Sequence, residues 1–174
     1  MTNGHAMHAQ RRTLIVTSWA LSALAATLLA AVIYPEATER IYGEARTALL
    51  RSQLTLSEDL PEITIGVTGT AADIDRCDGT FTEMITYRVA GVPPTAAAHN
   101  NCGGDIMLPW DIGQQFRADG AIYEVTEIRE VPKVGSTTDD LIGLRGDLGL
   151  QTCYYGQNLM KIVGATKVPA EHAP

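Results

Sequence analysis

Cys153 closes the stretch Leu148-Gly-Leu-Gln-Thr-Cys-Tyr-Tyr155. The alternation of Leu148, Leu150 and Thr152, bounded by Gly149 and Gly156, reads as a β-strand that delivers a thiol to its exposed tip. A cysteine attacks a carbonyl as its thiolate, so it needs a base or an imidazolium close in space. His99, in Ala96-Ala-Ala-His-Asn-Asn101, is the single histidine outside the two tails, where His5, His8 and His172 lie. One histidine followed far downstream by one strand-end cysteine points to thiol-based acyl transfer. Plainer roles stay open: Cys153 as a buried core thiol, and His99 as an exposed loop histidine following Pro93-Pro94.

The other two cysteines bear on whether that thiol is free. Cys77 and Cys102 can close a loop of about 25 residues, worth about 3 kcal/mol in an oxidising compartment. That pairing leaves Cys153 unpaired, whereas Cys102–Cys153 would remove the activity. Three cysteines and one histidine without CxxC or HxxxH spacing argue against zinc, and no cofactor is expected. Competing chemistries fit worse. A papain-like enzyme has its Cys before its His, a Gly-x-Ser-x-Gly elbow is absent, and Asn101-Cys-Gly-Gly104 has neither the lysine nor the spacing of a phosphate loop. Leu108-Pro-Trp-Asp111 is not a sorting signal of LPxTG type.

Short strands separated by turns must position these residues. Ile63–Val67, Glu83–Val89, Ala121–Val131, Leu148–Thr152 and Met160–Val168 alternate or carry β-branched runs. Asp78-Gly79, Pro93-Pro94, Asp119-Gly120 and Gly135-Ser136 mark turns between them. The mixed phase of Ala121–Val131 predicts burial on both faces or a bulge at its middle. The fold class is therefore mainly β, a small barrel of roughly a hundred residues with one core.

Upstream, Thr13–Tyr34 is a run of 22 residues without a charge. As a helix it is about 33 Å long, enough for a hydrocarbon core of about 30 Å. Arg11 and Arg12 precede it, and no acidic residue stands before Glu36, so the positive-inside rule places the domain outside the cell. A cleaved signal peptide, cut near Ala30 or Ala31, is the alternative. Glu36–Glu58 has loose helical spacing, weakened by Gly43 and closed by Pro61, and reads as a juxtamembrane spacer. The divisions are a cytoplasmic tail 1–12, a transmembrane helix 13–34, a helical spacer 35–61, the barrel 62–169 and a tail 170–174. The net charge is −7, and the part after the run is more acidic still, with no basic patch. No nucleic-acid partner is expected.

Over about Ala90 to Ala165 the chain resembles the sortases, membrane-anchored cysteine transpeptidases of Gram-positive surfaces. Ala96-Ala-Ala-His99-Asn resembles the segment ending in the family's catalytic histidine. Gln114 to Tyr123 resembles its Gly-Asp-x-Ile segment, with Asp119 and Gly120 swapped. Leu150-Gln-Thr152-Cys153 resembles its Thr-Leu-x-Thr-Cys strand end, with Gly149 for the first Thr. The resemblance implies a closed eight-stranded barrel in which Cys153 attacks a sorting-signal peptide bond of an exported protein. His99 would act as general acid, and the thioacyl group would pass to an amine acceptor, a cell-wall precursor or a pilin lysine. The family's third catalytic residue is an arginine on the following strand. The matching segment Asn158-Leu-Met-Lys161-Ile-Val-Gly-Ala165 offers Lys161, which keeps the charge but not the planar fork of donors. Arg145 could serve only if the loop before Leu148 folds back. The second expectation, from a different class, is a non-catalytic membrane-anchored β-domain acting as a binding module.

Overall fold

The structure, a computed structural model, describes residues 3–169, with side chains from residue 17 onward. The expectations for Arg11, Arg12, the tail histidines and the segment 170–174 concern groups outside the described ones. Two helices lead into the barrel: α1 (Asn3–Ile33) and α2 (Pro35–Leu56). Pro35 at the first position of α2 cannot donate the hydrogen bond that would continue α1, so the chain bends at Tyr34. Among the described residues no single helix is long and apolar enough to cross a membrane. Only Thr17–Ile33 and Pro35–Leu56 taken together pass, across a bend of 109°. The large described apolar side chains of α1, Trp19 and Val32 among them, are exposed.

Eight strands follow, with one short helix, α3 (Ala71–Ile74), between the second and third. They are β1 (Glu62–Ile63), β2 (Ile65–Gly69), β3 (Phe81–Met84), β4 (Thr95–Ala97), β5 (Gln115–Ala118), β6 (Ala121–Val131), β7 (Leu148–Cys153) and β8 (Met160–Lys167). They form one sheet in the order β1-β5-β6-β8-β7-β4-β3-β2. Its two edges, β1 and β2, are separated in sequence by Thr64 alone, so the sheet curls into a nearly closed barrel. The Thr64 carbonyl accepts from the Phe81 amide at 2.9 Å. The Ile65 amide donates to Asp119 Oδ1 at 3.0 Å.

Asp119 and Gly120 both have positive φ, +48° and +79°, between the paired Ala118 and Ala121. That is the left-handed geometry of a two-residue hairpin turn, which Asp-Gly suits. Asp119-Gly120 thus makes the β5–β6 turn and supplies the carboxylate at the seam. Of the two alternatives for the mixed phase of β6, a bulge is present. Val125 pairs with Ala165 and Glu127 with Gly164, which leaves Thr126 over. Glu83–Val89 is not a strand throughout. β3 is Phe81–Met84, and a 3-10 turn takes Ile85–Tyr87, because the buried side chains are Phe81, Thr82 and Met84 while Ile85 and Val89 face solvent.

The core fills the barrel with Trp110, Phe116, Leu150, Val125 and Val163, and Trp110 stacks on Phe116 at 4.5 Å. A second cluster, Val131, Leu141, Leu144 and Ile162, lies on the other face of the sheet under the β6–β7 connection. α2 is docked on the barrel and is not a free spacer. Arg46 Nε pairs with the buried Asp105 at 2.8 Å, and Tyr42 packs edge-on against Tyr155 at 5.3 Å. Gly43 makes this close approach possible, since a Cβ there would run into Tyr155 Cβ. Helix propensity alone predicts that Gly43→Ala stabilises by about 1 kcal/mol. The packing predicts the reverse, a loss of about 1–3 kcal/mol through overpacking, measurable by urea unfolding.

Candidate functional site

β4 and β7 run parallel, with Thr95 beside Gly149, Ala96 beside Leu150 and Ala97 beside Gln151. A side chain at 149 would collide with Thr95 Oγ1, so glycine stands there. Past Ala97 the association continues: the Ala98 amide donates to the Gln151 carbonyl at 3.1 Å, and Thr152 Oγ1 donates to the Ala98 carbonyl at 3.0 Å. The same register followed two residues on brings His99 level with Cys153. Both residues line one groove of about 660 Å³, whose far wall is the start of α2 with Glu36 and Glu39.

The disulfide joins Cys77 to Cys102, with Cα atoms 4.8 Å apart, as expected for the pairing that frees the third cysteine. Cys153 is a free, half-buried thiol. Burial pushes its pKa above the ordinary 9.0, and the charge of Lys133 pulls the other way. The resting group is therefore the neutral thiol. Lys133 follows Pro132 at the start of the β6–β7 connection and lines the same groove. His99 Nε2 lies 2.8 Å from Asp75 Oδ1, a carboxylate at the C-terminal cap of α3.

Lys161 is not in this groove. In an antiparallel pair, opposite residues share a face and neighbours alternate. Thr152 pairs with Lys161, and Cys153 with Met160, so Lys161 projects from the face of the sheet opposite to the thiol. It is buried in the barrel, where Nζ donates to the carbonyls of Leu108 at 2.9 Å and Trp110 at 2.5 Å. Its position corrects the expectation that it lies beside Cys153. The place across from the thiol is taken by Met160, whose sulfur accepts from Gln151 Nε2 at 2.9 Å. Arg145 is no substitute. It pairs with Glu127 at 3.3 Å beyond the start of β7, about 17 Å of strand from the Cys153 end. No arginine lines the groove among the described residues.

Two groups at the site escaped the sequence reading. Asp75 is one of several exposed acids, and only the fold brings it to His99. Lys133 carried a faint signal, as a lysine just past the longest strand after a proline. Among the described residues no group of three or more His, Cys, Asp or Glu is placed to hold a metal ion.

The buried Lys161 has a measurable signature. Burial pulls its pKa from 10.5 to about 8. The folded value lies below the unfolded one, so the fold carries the cost of the charged form below pH 8. Stability should rise as pH climbs from about 8 to about 9, and level off beyond it as the raised Cys153 opposes the lysine. Above pH 10 it should fall, because burial raises Tyr155 to about 12 and pushes Tyr154 higher still, while unfolded tyrosines ionise near 10. Urea unfolding from pH 7 to 11 should show this maximum. Lys161→Met should flatten the rising limb and cost about 1–3 kcal/mol by orphaning two carbonyls.

The chain matches no protein-family profile, no curated protein and no solved structure, so the functional reading stands on the sequence and this geometry.

Proposed function

We propose that the groove holding Cys153 and His99 is a thiol acyl-transfer site and that the protein is a sortase-type cysteine transpeptidase. The observation that carries this reading is the free thiol at the end of β7 in one groove with His99, the other two cysteines being tied to each other. His99 takes the proton of the resting Cys153 thiol, and the thiolate adds to the carbonyl carbon of a peptide bond in an exported protein's sorting signal. His99 gives a proton to the leaving amine as the tetrahedral adduct collapses, and the acyl group stays on sulfur as a thioester. An acceptor amine, whose proton returns to His99, then attacks the thioester carbonyl and releases the thiolate. Lys133 takes the cationic place expected of Lys161, favouring the thiolate and the developing oxyanion.

Membrane attachment belongs to the same proposal. The uncharged run is helical as far as Ile33, its large described apolar side chains are exposed, and Arg11 and Arg12 precede it. The domain is then extracellular, at the surface of a Gram-positive cell. A second reading, a non-catalytic β-domain that binds peptides, is favoured by Met160 standing opposite the thiol and by the absence of arginine from the groove lining among the described residues.

Peptides of LPxTG type incubated with the protein and an amine should give a thioacyl adduct, detected by mass on the Cys153 tryptic peptide. Cys153→Ala should abolish it with no change in thermal melting. Absence of any adduct across a varied peptide set would leave the binding-module reading. Iodoacetamide should alkylate Cys153 with a pH midpoint above 9.0, the ordinary value. Lys133→Ala should raise that midpoint further and slow alkylation at neutral pH about three- to tenfold, while Lys133→Arg keeps the wild-type rate.

A further inference from the structure

Asp75 and His99 come from separate loops, and what joins those loops is covalent. Asp75 caps α3 two residues before Cys77, and His99 stands three residues before Cys102. The Cys77–Cys102 disulfide therefore staples the turn bearing the carboxylate to the turn bearing the imidazole. The two turns also touch through glycines: a Cβ on Gly103 would stand 3.2 Å from the Gly79 carbonyl oxygen. Cys77 itself is left-handed, with φ +53°, a conformation that L-residues rarely adopt.

The contact between Asp75 and His99 is too open to order these loops alone. The two side chains are 72% and 44% exposed, and ion pairs at that exposure contribute little. The tether, not the strength of the pair, keeps them together. A carboxylate only accepts, so its partner in a neutral imidazole is the nitrogen that carries the proton. With Nε2–H turned to Asp75, the lone pair of Nδ1 is left for chemistry. The other charged or titratable groups on this groove are Lys133, Cys153, Tyr154 and Tyr155 from the barrel and Glu36, Glu39 and Tyr42 from α2. Among the described residues, Asp75 is the one side chain bonded to the ring.

We propose that Asp75 is a positioning residue that holds His99 as the Nε2–H tautomer with Nδ1 free, and that the Cys77–Cys102 disulfide makes this orientation dependent on redox state. The proposal rests on the Cys153–His99 reading above and adds a regulator to that site. A dithiol reductant delivers two electrons and two protons to the disulfide, giving two thiols, and closes into its own cyclic disulfide. Cys77 is exposed, so the bond is open to attack. Cys153 is already a free thiol and is unchanged. Reductants protect an ordinary thiol enzyme, whereas here they should inhibit.

The test uses the full chain carrying Cys153→Ala, labelled with ¹⁵N at histidine, at a pH where the imidazoles are neutral. The two ring ¹⁵N shifts of His99, assigned by His99→Gln, should report almost pure Nε2–H. Asp75→Asn should keep that state, because its amide oxygen accepts the same bond. Asp75→Ala, and the unsubstituted Asp75 protein treated with dithiothreitol, should both relax to the tautomer mixture of a free histidine side chain in water. In protein with Cys153 intact, reduction with dithiothreitol, desalted away under anaerobic conditions so that its own thiols cannot take the acyl group, should lower thioacyl formation about 10- to 100-fold. Should reduction unfold the barrel, seen as collapse of the amide spectrum, Asp75→Ala decides. Tautomer populations unchanged in Asp75→Ala would overturn the proposal even if Cys153 forms its adduct. No adduct from the untreated protein, with the tautomer shift present, would instead remove the acyl-transfer reading and leave the pairing intact.

Discussion

Strand β4 lies parallel to β7 with Ala97 beside Gln151, and that pairing decides which side chains can meet at the rim of the barrel. A hairpin would have joined neighbouring segments, but this pair joins residues 54 apart, and it does so through small side chains. Gly149 yields to Thr95, Ala96 and Ala97 are buried, and Thr152 reaches across to the Ala98 carbonyl. A shift of one residue would turn Cys153 to the other face of the sheet and separate it from the groove. The same layer supports the histidine loop, since Gly104 packs against Thr152 and the His99 carbonyl accepts from the amides of Cys102 and Gly104.

Two lysines divide the electrostatic work on either side of one sheet. Lys161 spends its charge inside, satisfying the carbonyls of Leu108 and Trp110 and seating that loop over the barrel's end. Lys133 meets the groove from outside and acts on the thiol through space. The burial that raises the Cys153 pKa is the stronger influence, so the resting group is a neutral thiol and not a thiolate. α2 completes the groove from a third direction. Its docking through Arg46, Gly43 and Tyr42 makes a segment that reads as a linker part of the site's wall.

How much of this was legible follows from what period-two patterning can carry. The limits of β6, its bulge, the cysteine pairing and the strand end at Cys153 all left local marks: alternation, a phase break, loop length and flanking glycines. The face of Lys161 left none, because Ile162, Val163, Gly164 and Ala165 are buried on both sides and no alternation betrays which way the lysine points. Counting residues past Cys153 found the right strand but not the right face. β4 was missed because Thr95–Ala97 is three small residues after Pro94, too short to show any period. Asp75 was invisible for a different reason: its role depends on a contact between loops that only the tertiary fold creates.

The spacing of the three cysteines also governs the order in which bonds can close while the chain folds. Closing a flexible loop becomes harder roughly as the three-halves power of its length. Cys77 and Cys102 are 25 residues apart, about half the separation of Cys102 from Cys153. The native pair is thus favoured about threefold on chain entropy alone while the chain is still unfolded. In a chain made from its N-terminus, both partners also emerge before Cys153 exists. The thiol placed last in sequence is the one that the shorter loop closure leaves without a partner.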